Sequence, residues 1–502
     1  MQLPPGHPVL SFDSARALER RLLGDDESAQ WSAMQRAGQG VAAGVLRDFD
    51  EIGGFPAAGR MLVLAGKGNN AGDALIAAHR VLECFPEATA DVMFAFGEQE
   101  LRPLARRAWR ELSHGARKRV TAGRMDDRPA AYDLCLDGVF GFSFRPPMPP
   151  EAAALIERAN AGVIRLRAAV DLPSGLDESE AAALVFRADF TYAAGSVKIP
   201  LVNATHAPNV GRLRYLDLGF FTGEKADSRL HVLTREVLDP LRVLRDPSSD
   251  KRTFGHLFIV CGSRQYPGAA LMAALAALRS GVGLVTVFAP ESLVPAFAAR
   301  APEAMWVGWP ETPAGGLALE GRDLLDERWT QAAAIMFGPG LGRELETLAL
   351  AADIATHSPV PMVIDADALQ PDIVRAGTAP RILTPHRGEF RRIQGDDFHF
   401  HASPATREAV VVLKGRLTDV TWHTQNWYSP FGGPVLARGG SGDMLAGMIG
   451  GLLAQSPAEP LLAACRGAVW HGLAADHLAR AKGQVAVNTT QLLDYFPAAL
   501  RI

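Results

Sequence analysis

The sequence predicts an α/β protein of two domains. The chain has 502 residues, more than one hydrophobic core usually organises, because single domains cluster near ~100 to 200 residues. Both halves alternate short apolar stretches with loops rich in Gly, Asn or Asp, and each loop leads into a helical stretch. Continuous Val/Ile/Leu runs in this rhythm predict buried parallel strands. In such sheets, ligands bind just beyond the carboxyl ends of the strands.

The candidate strands divide between the two halves of the chain. In the N-terminal half they lie at 61–65, 92–96, 133–137, 168–171 and 190–194. In the C-terminal half they lie at 257–261, 284–288, 334–337, 362–365, 382–384 and 410–413. A polar stretch that includes Asp246-Pro-Ser-Ser-Asp separates them and has the character of a linker. We therefore expect domains at 1–222 and 251–502, with the linker at 223–250.

Composition excludes several classes of partner. The formal net charge is −4, with 48% hydrophobic and 21% charged residues, so neither a basic nucleic-acid surface nor a membrane-binding helix is expected. The N-terminal residues do not show a charged region followed by an apolar run, so no signal peptide is expected. The four cysteines are scattered and predict reduced core thiols. We expect a cytoplasmic protein that acts on small molecules and forms a homo-oligomer.

A glycine-rich turn in the C-terminal half is the most informative segment. Arg438-Gly-Gly-Ser-Gly-Asp precedes an apolar helical stretch. Glycines allow backbone N–H groups to approach phosphate closely, and a helix N-terminus favours negative charge. Asp443 within this turn suits the deprotonation of an attacking hydroxyl group. The alternative interpretation is a capping turn in which Asp443 is an ordinary carboxylate of the first helical turn.

Further polar loops follow successive candidate strands in this half. They are Phe337-Gly-Pro-Gly-Leu-Gly, Asp365-Ala-Asp-Ala-Leu, Thr384-Pro-His-Arg-Gly-Glu and Val412-Leu-Lys-Gly-Arg-Leu-Thr. Each could be a tight turn, and a single histidine such as His386 more often has a structural role. Their ordered occurrence at strand ends favours one shared binding site.

With Gly262-Ser-Arg-Gln-Tyr-Pro-Gly-Ala-Ala, these motifs resemble those of the ADP/ATP-dependent NAD(P)H-hydrate dehydratases, over essentially all of 251–502. The resemblance implies a ribokinase-like fold and repair of the S hydrate of NADH or NADPH. In that reaction the C6 hydroxyl group is phosphorylated by ADP (or ATP) and then eliminated as phosphate. A divalent ion, Mg²⁺, is expected with the nucleotide.

The resemblance also implies roles for individual residues. Asp443 is the expected base and contacts the hydrate. The remaining hydrate-binding positions are Ala269, Gly340 and His386. The expected nucleotide-binding positions are Lys414, Gly415, Arg416, Leu417, Thr418 and Gly442. Ser441 and Arg387 stand where the family commonly has Thr and Pro.

Oxygen-bearing side chains also follow strands in the N-terminal half. Gly66-Lys-Gly-Asn-Asn-Ala-Gly-Asp-Ala forms a glycine-rich strand-to-helix turn that suits phosphate. Asn70, Asp137 and Ser174 offer oxygen ligands for a hard cation, and Asp171 is a polar group near them. The alternative interpretation is a set of turns that merely connect strands.

These segments resemble the NAD(P)H-hydrate epimerase domain, over roughly 10–220. The resemblance implies a Rossmann-like three-layer fold, interconversion of the R and S hydrates, and a potassium ion bound by Asn70, Asp137 and Ser174. The implied hydrate-binding residues are Asn69, Asn70, Ala71, Gly72, Asp73, Gly141, Phe142, Ser143, Phe144, Arg145, Pro146, Pro147 and Asp171.

The N-terminal half departs from the pattern of this family. Ala71 and Ala74 stand at positions where glycine is usual, and Gly141-Phe-Ser replaces Gly-Thr-Gly. An acidic residue usual near Gln35 is missing. A β-carbon at 71 or 74 would crowd a phosphate if either residue needed positive φ, so reduced epimerase activity is one expectation.

Two rival interpretations follow. A small-alcohol kinase of the ribokinase-like fold shares the Gly-Gly-x-Gly-Asp turn, and a stable phosphorylated product would distinguish it. The N-terminal half could instead be a degenerate nucleotide-binding or oligomerisation module without catalysis. A wholly non-catalytic protein is the weakest alternative, because it leaves Asp443 without a purpose.

Overall fold

A computed structural model describes residues 2–116, 118–123, 131–179, 184–222, 228–394 and 404–501. The chain divides into two compact units. One unit, here called the N-terminal unit, contains His7–Leu230 and Ala479–Gln484; the other, the C-terminal unit, contains Met1–Gly6, His231–Leu478 and Val485–Ile502. The predicted α/β class is confirmed.

The N-terminal unit is built on a parallel sheet of seven strands. The strands in this half of the chain are β1 (Gly6–Leu10), β2 (Arg60–Ala65), β3 (Thr89–Phe94), β4 (Val120–Gly123), β5 (Tyr132–Gly138), β6 (Ile164–Val170), β7 (Phe190–Ala194), β8 (Val197–Lys198) and β9 (Arg212–Leu216). Their order in the sheet is β4-β3-β2-β5-β6-β7-β9, and β1 pairs separately with β8.

Helices cover both faces of this sheet, giving the three layers that the sequence predicts. The helices are α1 (Phe12–Leu23), α2 (Glu27–Phe49), α3 (Asn69–Cys84), α4 (Pro103–Gly115), α5 (Pro150–Ala161), α6 (Ile199–Val202) and α7 (Ala207–Val210). Side chains of α2, α3 and α4 share a core with Val63 and Leu136. Those of α5 share a second core with Leu62 and Leu64. Successive residues of β2 thus face opposite layers, and all but the first are buried.

The C-terminal unit contains a longer mixed sheet. The strands are β10 (Leu230–Leu233), β11 (His256–Val260), β12 (Leu284–Pro290), β13 (Met305–Trp309), β14 (Ala334–Phe337), β15 (Met362–Ile364), β16 (Arg381–Leu383), β17 (Val410–Leu413), β18 (Thr418–Trp422) and β19 (Gln425–Ser429). The order is β13-β12-β11-β14-β15-β16-β17-β18-β19-β10. Pairing is parallel from β13 to β17 and antiparallel from β17 to β19.

The helices of the C-terminal half are α8 (Pro267–Arg279), α9 (Val294–Arg300), α10 (Arg322–Asp326), α11 (Leu345–His357), α12 (Pro371–Val374), α13 (Arg387–Gln394), α14 (Pro404–Arg407), α15 (Ser441–Gln455), α16 (Pro460–Lys482) and α17 (Leu492–Leu500). Helix α15 is almost wholly buried and lies against α8. Its glycines allow this close approach, since a β-carbon on Gly447 would lie 2.1 Å from the carbonyl oxygen of Ala273.

The predicted linker at 223–250 differs from the structure. Residues 223–227 lie outside the described residues. From 228 onward the stretch contains β10 and a 3₁₀ helix, Arg235–Leu241, whose apolar side chains Val237 and Leu238 are buried. Residues 231–250 belong to the C-terminal unit. Because the stretch is mostly polar, its composition did not indicate that these few apolar side chains are buried.

No helix within the described ranges is long and apolar enough to cross a membrane. The cysteines are free thiols, and Cys135, Cys261 and Cys465 are buried.

A buried ionic cluster joins distant parts of the N-terminal unit. The carboxylate of Asp48 accepts hydrogen bonds from Tyr192 at 2.9 Å, from Arg214 at 2.9 and 3.0 Å, and from Arg480 at 2.9 Å. Burial opposes the charge of this carboxylate, but Arg214 and Arg480 outweigh it and hold the pKa of Asp48 below its ordinary value. Removing the carboxylate would leave two guanidinium groups without their common partner.

We predict that Asp48→Ala lowers the free energy of unfolding of this unit by about 3 to 5 kcal/mol, because one partner of a buried ion pair is removed. Urea unfolding, with hydrogen exchange of peptides from β7 and β9, measures the change. Asp13→Ala is the control: Asp13 pairs with Arg16 at 2.9 Å on the surface, and an exposed pair contributes only about 0 to 1 kcal/mol. Equal effects of the two substitutions would contradict the prediction.

Candidate active sites

The C-terminal candidate site lies where several parallel strands end. Gly340 follows β14, His386 follows β16 and Lys414 follows β17. A β-carbon on Gly340, whose φ is +66°, would lie 2.8 Å from Cβ of Ala269 on α8. The backbones of His386 and Lys414 form a parallel bridge. The structure therefore places Gly340 next to Ala269, and His386 next to Lys414.

Asp443 lies in the first turn of α15, as the motif predicts. Gly440 precedes the helix with φ of +87°, and a β-carbon there would lie 2.0 Å from the sulfur of Met272. This left-handed conformation suits glycine. It sets the direction in which α15 begins and so places Asp443 at the helix N-terminus, where an anionic phosphate is also favoured.

A lysine and a second aspartate adjoin Asp443. Lys414 Nζ donates to Asp365 Oδ1 at 2.9 Å, and a β-carbon on Gly442 would lie 3.1 Å from that Nζ. Burial, and after it the charge of Asp365, raise the pKa of Asp443 to about 6, although Lys414 opposes the shift. The pKa of Lys414 is raised although burial opposes its charge, because Asp365 and Glu389 stabilise the ammonium ion. The result is a carboxyl group that gains and loses its proton near neutrality.

Asp365 has an unused acceptor. Its side chain is 1% exposed, and Oδ2 lacks a hydrogen-bond partner within the described part of the chain. The same Oδ2 lies 3.9 Å from the place that a β-carbon on Gly442 would take. A buried carboxylate oxygen without a donor is a fitting ligand for a hard cation.

The other predicted nucleotide-binding residues form the connection from β17 to β18. Gly415, Arg416 and Leu417 lie between the two strands, and Thr418 begins β18. Burial, together with the nearby charge of Arg387, lowers the pKa of Arg416 to about 10. Of this segment, Lys414 lies beside Gly442, with its Nζ 3.1 Å from the place that a β-carbon on Gly442 would take.

His386 is fixed by its own turn. Its Nδ1 accepts a hydrogen bond from Gly388 N at 2.9 Å, and Glu389 Oε2 accepts one from the backbone of His386 at 2.8 Å. The imidazole is 60% exposed and its Nε2 lies 3.3 Å from Glu389 Oε1. The ring is therefore held in orientation yet open to a ligand.

The N-terminal candidate site is a cavity of about 510 Å³. Most of the residues predicted to bind the hydrate line it: Asn69, Asn70, Asp73, Gly141, Phe142, Ser143, Phe144, Arg145, Pro147 and Asp171. Ala71 and Gly72 are instead buried behind it in α3, and Pro146 is exposed outside the lining. These last three residues therefore lie outside the lining in which the hydrate contact was predicted.

The predicted cation ligands come together beneath the cavity. Ser174 Oγ donates to Asp137 Oδ1 at 2.6 Å, and Ser174 N donates to Asp137 Oδ2 at 2.7 Å. Asn70 Nδ2 donates to the carbonyl oxygen of Phe140 at 2.8 Å, which leaves Asn70 Oδ1 buried without a partner among the described residues. Burial raises the pKa of Asp137 to about 6, although hydrogen bonds from Ser174 and Val139 oppose this. An orphaned carbonyl oxygen and a buried carboxylate, linked through the hydrogen bonds of Phe140 and Ser174, are ligand types that suit a hard cation.

Asp171 and Lys198 form a buried pair at the end of the cavity. Lys198 is fully buried, and its Nζ donates to Asp171 Oδ1 at 2.5 Å. Asp171 adopts φ of +63°, a conformation that is uncommon outside glycine. The backbone N–H of Ala194 also donates to Asp171 Oδ1 at 3.2 Å. Such strain persists where surrounding contacts enforce it, often at functional sites.

Two family models match this chain. One, described as NAD(P)H-hydrate dehydratase, matches residues 257–498, and the other, described as YjeF-related protein N-terminus, matches residues 32–199. A bifunctional NAD(P)H-hydrate repair enzyme from Moorella thermoacetica is 34% identical over 495 residues, covering 93% of this chain and 92% of the relative. One from Gloeobacter violaceus is 36% identical over 484 residues, covering 91% of each chain.

The chain belongs to the bifunctional NAD(P)H-hydrate repair enzymes. The family resemblance that the sequence motifs indicated is thereby confirmed. A solved structure, the ADP/ATP-dependent NAD(P)H-hydrate dehydratase of Bacillus subtilis crystallised with ATP and Mg²⁺, is 29% identical. The match covers 53% of this chain and 96% of that one at a TM-score of 0.45.

Two residues of the candidate sites in this repair-enzyme family member had no role assigned from the sequence. Asp365 belongs to a motif recognised in the sequence, but its place in the site is evident only from its hydrogen bond with Lys414. Glu19 lines the N-terminal cavity from α1. No motif marks Glu19, because it lies in an ordinary amphipathic helix remote in sequence from the glycine-rich turn.

The unusual alanines of the repair-enzyme motif occupy ordinary helical positions. Ala71 and Ala74 lie in α3, both are buried, and neither has positive φ. The methyl group of Ala74 faces Gly138, whose own β-carbon would lie 2.6 Å from it. The expectation that these alanines crowd a phosphate depended on positive φ, which neither residue has.

We predict that Ala74→Gly lowers the free energy of unfolding by about 2 kcal/mol, with ~1 from helix propensity and ~0.8 from the lost buried methyl group. Urea unfolding measures this. Ala17→Gly, at an exposed position of α1, is the control and should show only the propensity effect of about 1 kcal/mol. A more stable Ala74→Gly protein would mean that this position favours glycine after all.

Proposed function

We propose that this chain repairs hydrated NADH and NADPH. The C-terminal unit, which contains most of the predicted domain 251–502, would dehydrate the S hydrate with ADP, giving NAD(P)H, AMP and phosphate. The N-terminal unit, within the predicted domain 1–222, would interconvert the R and S hydrates. The observation that carries the proposal is the position of Asp443, in the first turn of a buried helix beside Lys414 and Asp365.

In the proposed dehydration, Asp443 accepts the proton of the C6 hydroxyl group. The hydroxyl oxygen then attacks the β-phosphorus of ADP, and AMP leaves. Lys414 and the N-terminus of α15 stabilise the negative charge on the phosphoryl oxygens during this transfer. The C6–O bond of the phosphate ester breaks next, phosphate departs with the bonding electrons, and loss of the C5 proton restores the dihydropyridine.

The remaining predicted residues would bind the two substrates. Residues 414–418, together with Gly442, would hold the nucleotide, with ATP as an alternative phosphoryl donor. Ala269, Gly340 and His386 would line the hydrate site. The exposed and oriented ring of His386 supports this role.

We propose that Mg²⁺ accompanies the nucleotide and K⁺ the N-terminal site. Asp365, through its unpartnered Oδ2, would bind Mg²⁺ together with phosphate oxygens. When bound, Mg²⁺ supplies charge neutralisation for phosphoryl transfer. Asn70, Asp137 and Ser174 would bind K⁺, which offsets the buried charge of Asp137.

The setting of these reactions is also a proposal. The net charge of −4 supports small nucleotide substrates rather than a nucleic-acid partner. We propose that the enzyme is a cytoplasmic homo-oligomer. Its free thiols support the cytoplasmic location.

The test is recovery of NADH absorbance from a mixture of R and S hydrates with ADP, Mg²⁺ and K⁺. Complete recovery faster than the spontaneous epimerisation of a protein-free control supports both activities. Recovery that stops at the S fraction supports the dehydratase and contradicts the epimerase. A stable phosphorylated product, or no recovery with either ADP or ATP, contradicts the repair function and favours the small-alcohol kinase.

Removing ions from this assay separates the two proposed sites. A chelator of divalent ions should stop recovery even of the pure S hydrate. Replacing K⁺ by tetramethylammonium should slow only the R fraction, because that ion is too large and apolar for oxygen ligands. Undiminished rates after either change would contradict the corresponding ion proposal.

We predict that Asp443→Asn lowers the dehydration rate at least ~10²-fold, because general-base catalysis contributes typically 10² to 10⁴-fold. Binding of ADP, measured by calorimetry, should change little, since an uncharged side chain of the same size remains. Asp372→Asn, at an exposed position of α12, is the control. Near-normal turnover of Asp443→Asn would show that another group is the base.

The same assignment predicts the pH dependence of the wild-type enzyme. A base must be ionised to accept a proton, and the pKa of Asp443 is raised to about 6 by burial and by Asp365. The dehydration rate should therefore be full above this pH and fall as pH decreases through about 6.

A further inference from the structure

The cavity of the N-terminal unit contains more acidic groups than its motifs supply. Asp171, paired with Lys198, comes from a recognised motif. Asp73 on α3, from the glycine-rich motif, also lines the cavity, and Glu19 on α1 lines it without belonging to any motif. Leu23, one turn after Glu19, lines it as well, so this face of α1 is directed to the cavity. Three carboxyl groups thus line one cavity, and the buried Lys198 pairs with one of them, Asp171.

The three carboxyl groups differ in their partners. Asp171 accepts hydrogen bonds from Lys198 and from the backbone of Ala194. Glu19 and Asp73 accept none from any described residue, and Lys198 is committed to Asp171 at 2.5 Å. Asp171 therefore has the contacts of a carboxylate ion, whereas Glu19 lacks any donor that would stabilise its charge.

The electrostatic environment agrees with this difference. Burial raises the pKa of Glu19 to about 7; Lys198 opposes the shift, and Asp171 adds to it. Burial raises the pKa of Asp73 well above its ordinary value, with further contributions from Asp171 and Glu19. Lys67, Arg102 and Arg145 also line the cavity. Where environments separate the protonation of neighbouring groups, an acid and a base are available together.

We propose that Glu19 is a catalytic acid and base of hydrate epimerisation, a role that rests on the proposed epimerase function of this unit. In one direction the protonated Glu19 carboxyl gives its proton to the C6 hydroxyl group. The C6–O bond breaks, its electron pair leaves with the oxygen as water, and the lone pair of the ring nitrogen forms a C=N bond. The ring becomes a planar cation.

Addition to the other face completes the exchange. A water molecule forms a new C6–O bond and gives its proton to the carboxylate of Asp171, while the C=N electrons return to nitrogen. In the reverse direction the roles of Glu19 and Asp171 exchange, as microscopic reversibility requires. Proton transfer through cavity water restores the starting state. Atoms and charges balance with water as the only co-reactant.

The test follows purified R hydrate towards the equilibrium mixture by chromatography, without nucleotide so that dehydration is silent, and at constant K⁺. The proteins are full-length wild type, Glu19→Gln, Glu19→Asp and the control Glu87→Gln, at an exposed position. The reaction is also run in H₂¹⁸O, because loss and return of water introduces one labelled oxygen with each epimerisation.

For Glu19→Gln we expect kcat at least ~10²-fold lower with KM little changed, and slower ¹⁸O incorporation. The pH dependence should lose the decrease that deprotonation of the acid causes near pH 7. Glu19→Asp should recover part of kcat and keep that decrease, and it also guards against a misfolded Glu19→Gln protein. Glu87→Gln should match wild type.

Several outcomes would overturn the proposal. They are wild-type kcat and pH profile in Glu19→Gln, a change in KM alone, or epimerisation without ¹⁸O. If Glu19→Asp is as inactive in epimerisation as Glu19→Gln, while hydrogen exchange shows a native α1, the result would give Glu19 a packing role. If wild type itself does not exceed the spontaneous rate, the proposed epimerase function fails, which is a separate result.

Discussion

Both candidate sites depend on one geometric constraint of parallel sheets: the carboxyl ends of neighbouring strands emerge at the same edge. In the C-terminal unit, β14 to β17 run parallel, so the residues that follow them meet near the N-terminus of α15. In the N-terminal unit, β2, β5 and β6 do the same for Asn70, Asp137 and Asp171. Residues scattered over a hundred positions become neighbours without any special loop architecture.

The second shared feature is a lysine that pairs with one carboxylate and leaves another group unpaired. Lys414 donates to Asp365 and leaves Asp443 with a raised pKa. Lys198 donates to Asp171 and leaves Glu19 with a raised pKa. In each case burial supplies the largest part of the shift, so enclosure, rather than repulsion alone, prepares the group for proton transfer.

The sequence predicted what hydrophobic burial dictates. Buried parallel strands such as β2 and β11 appear as uninterrupted apolar runs, so their existence was readable within a few residues. Strands β18 and β19 were missed, because each contains polar residues and only one or two of their side chains are fully buried. Strand β10 was hidden in a polar stretch. The glycine-rich turns predicted Asp443 and Asn70 at helix N-termini, whereas the contribution of Glu19 depends on how α1 lies in the fold of its unit.

The departures of the N-terminal motif change the packing around the cavity more than its polar groups. Ala74 is buried against Gly138 and is not part of the cavity lining. Phe142, at a position where a small polar residue is usual, places its ring 5.2 Å from Lys198 Nζ. An aromatic face stabilises an ammonium ion by about 0.5 to 2 kcal/mol, more when water is excluded. Lys198 thus gains an aromatic cover on one side, while its partner Asp171 still lines the cavity. The two members of this pair act on Glu19 in opposite directions, since Lys198 lowers its pKa and Asp171 raises it, so burial remains the main reason that the pKa of Glu19 is raised.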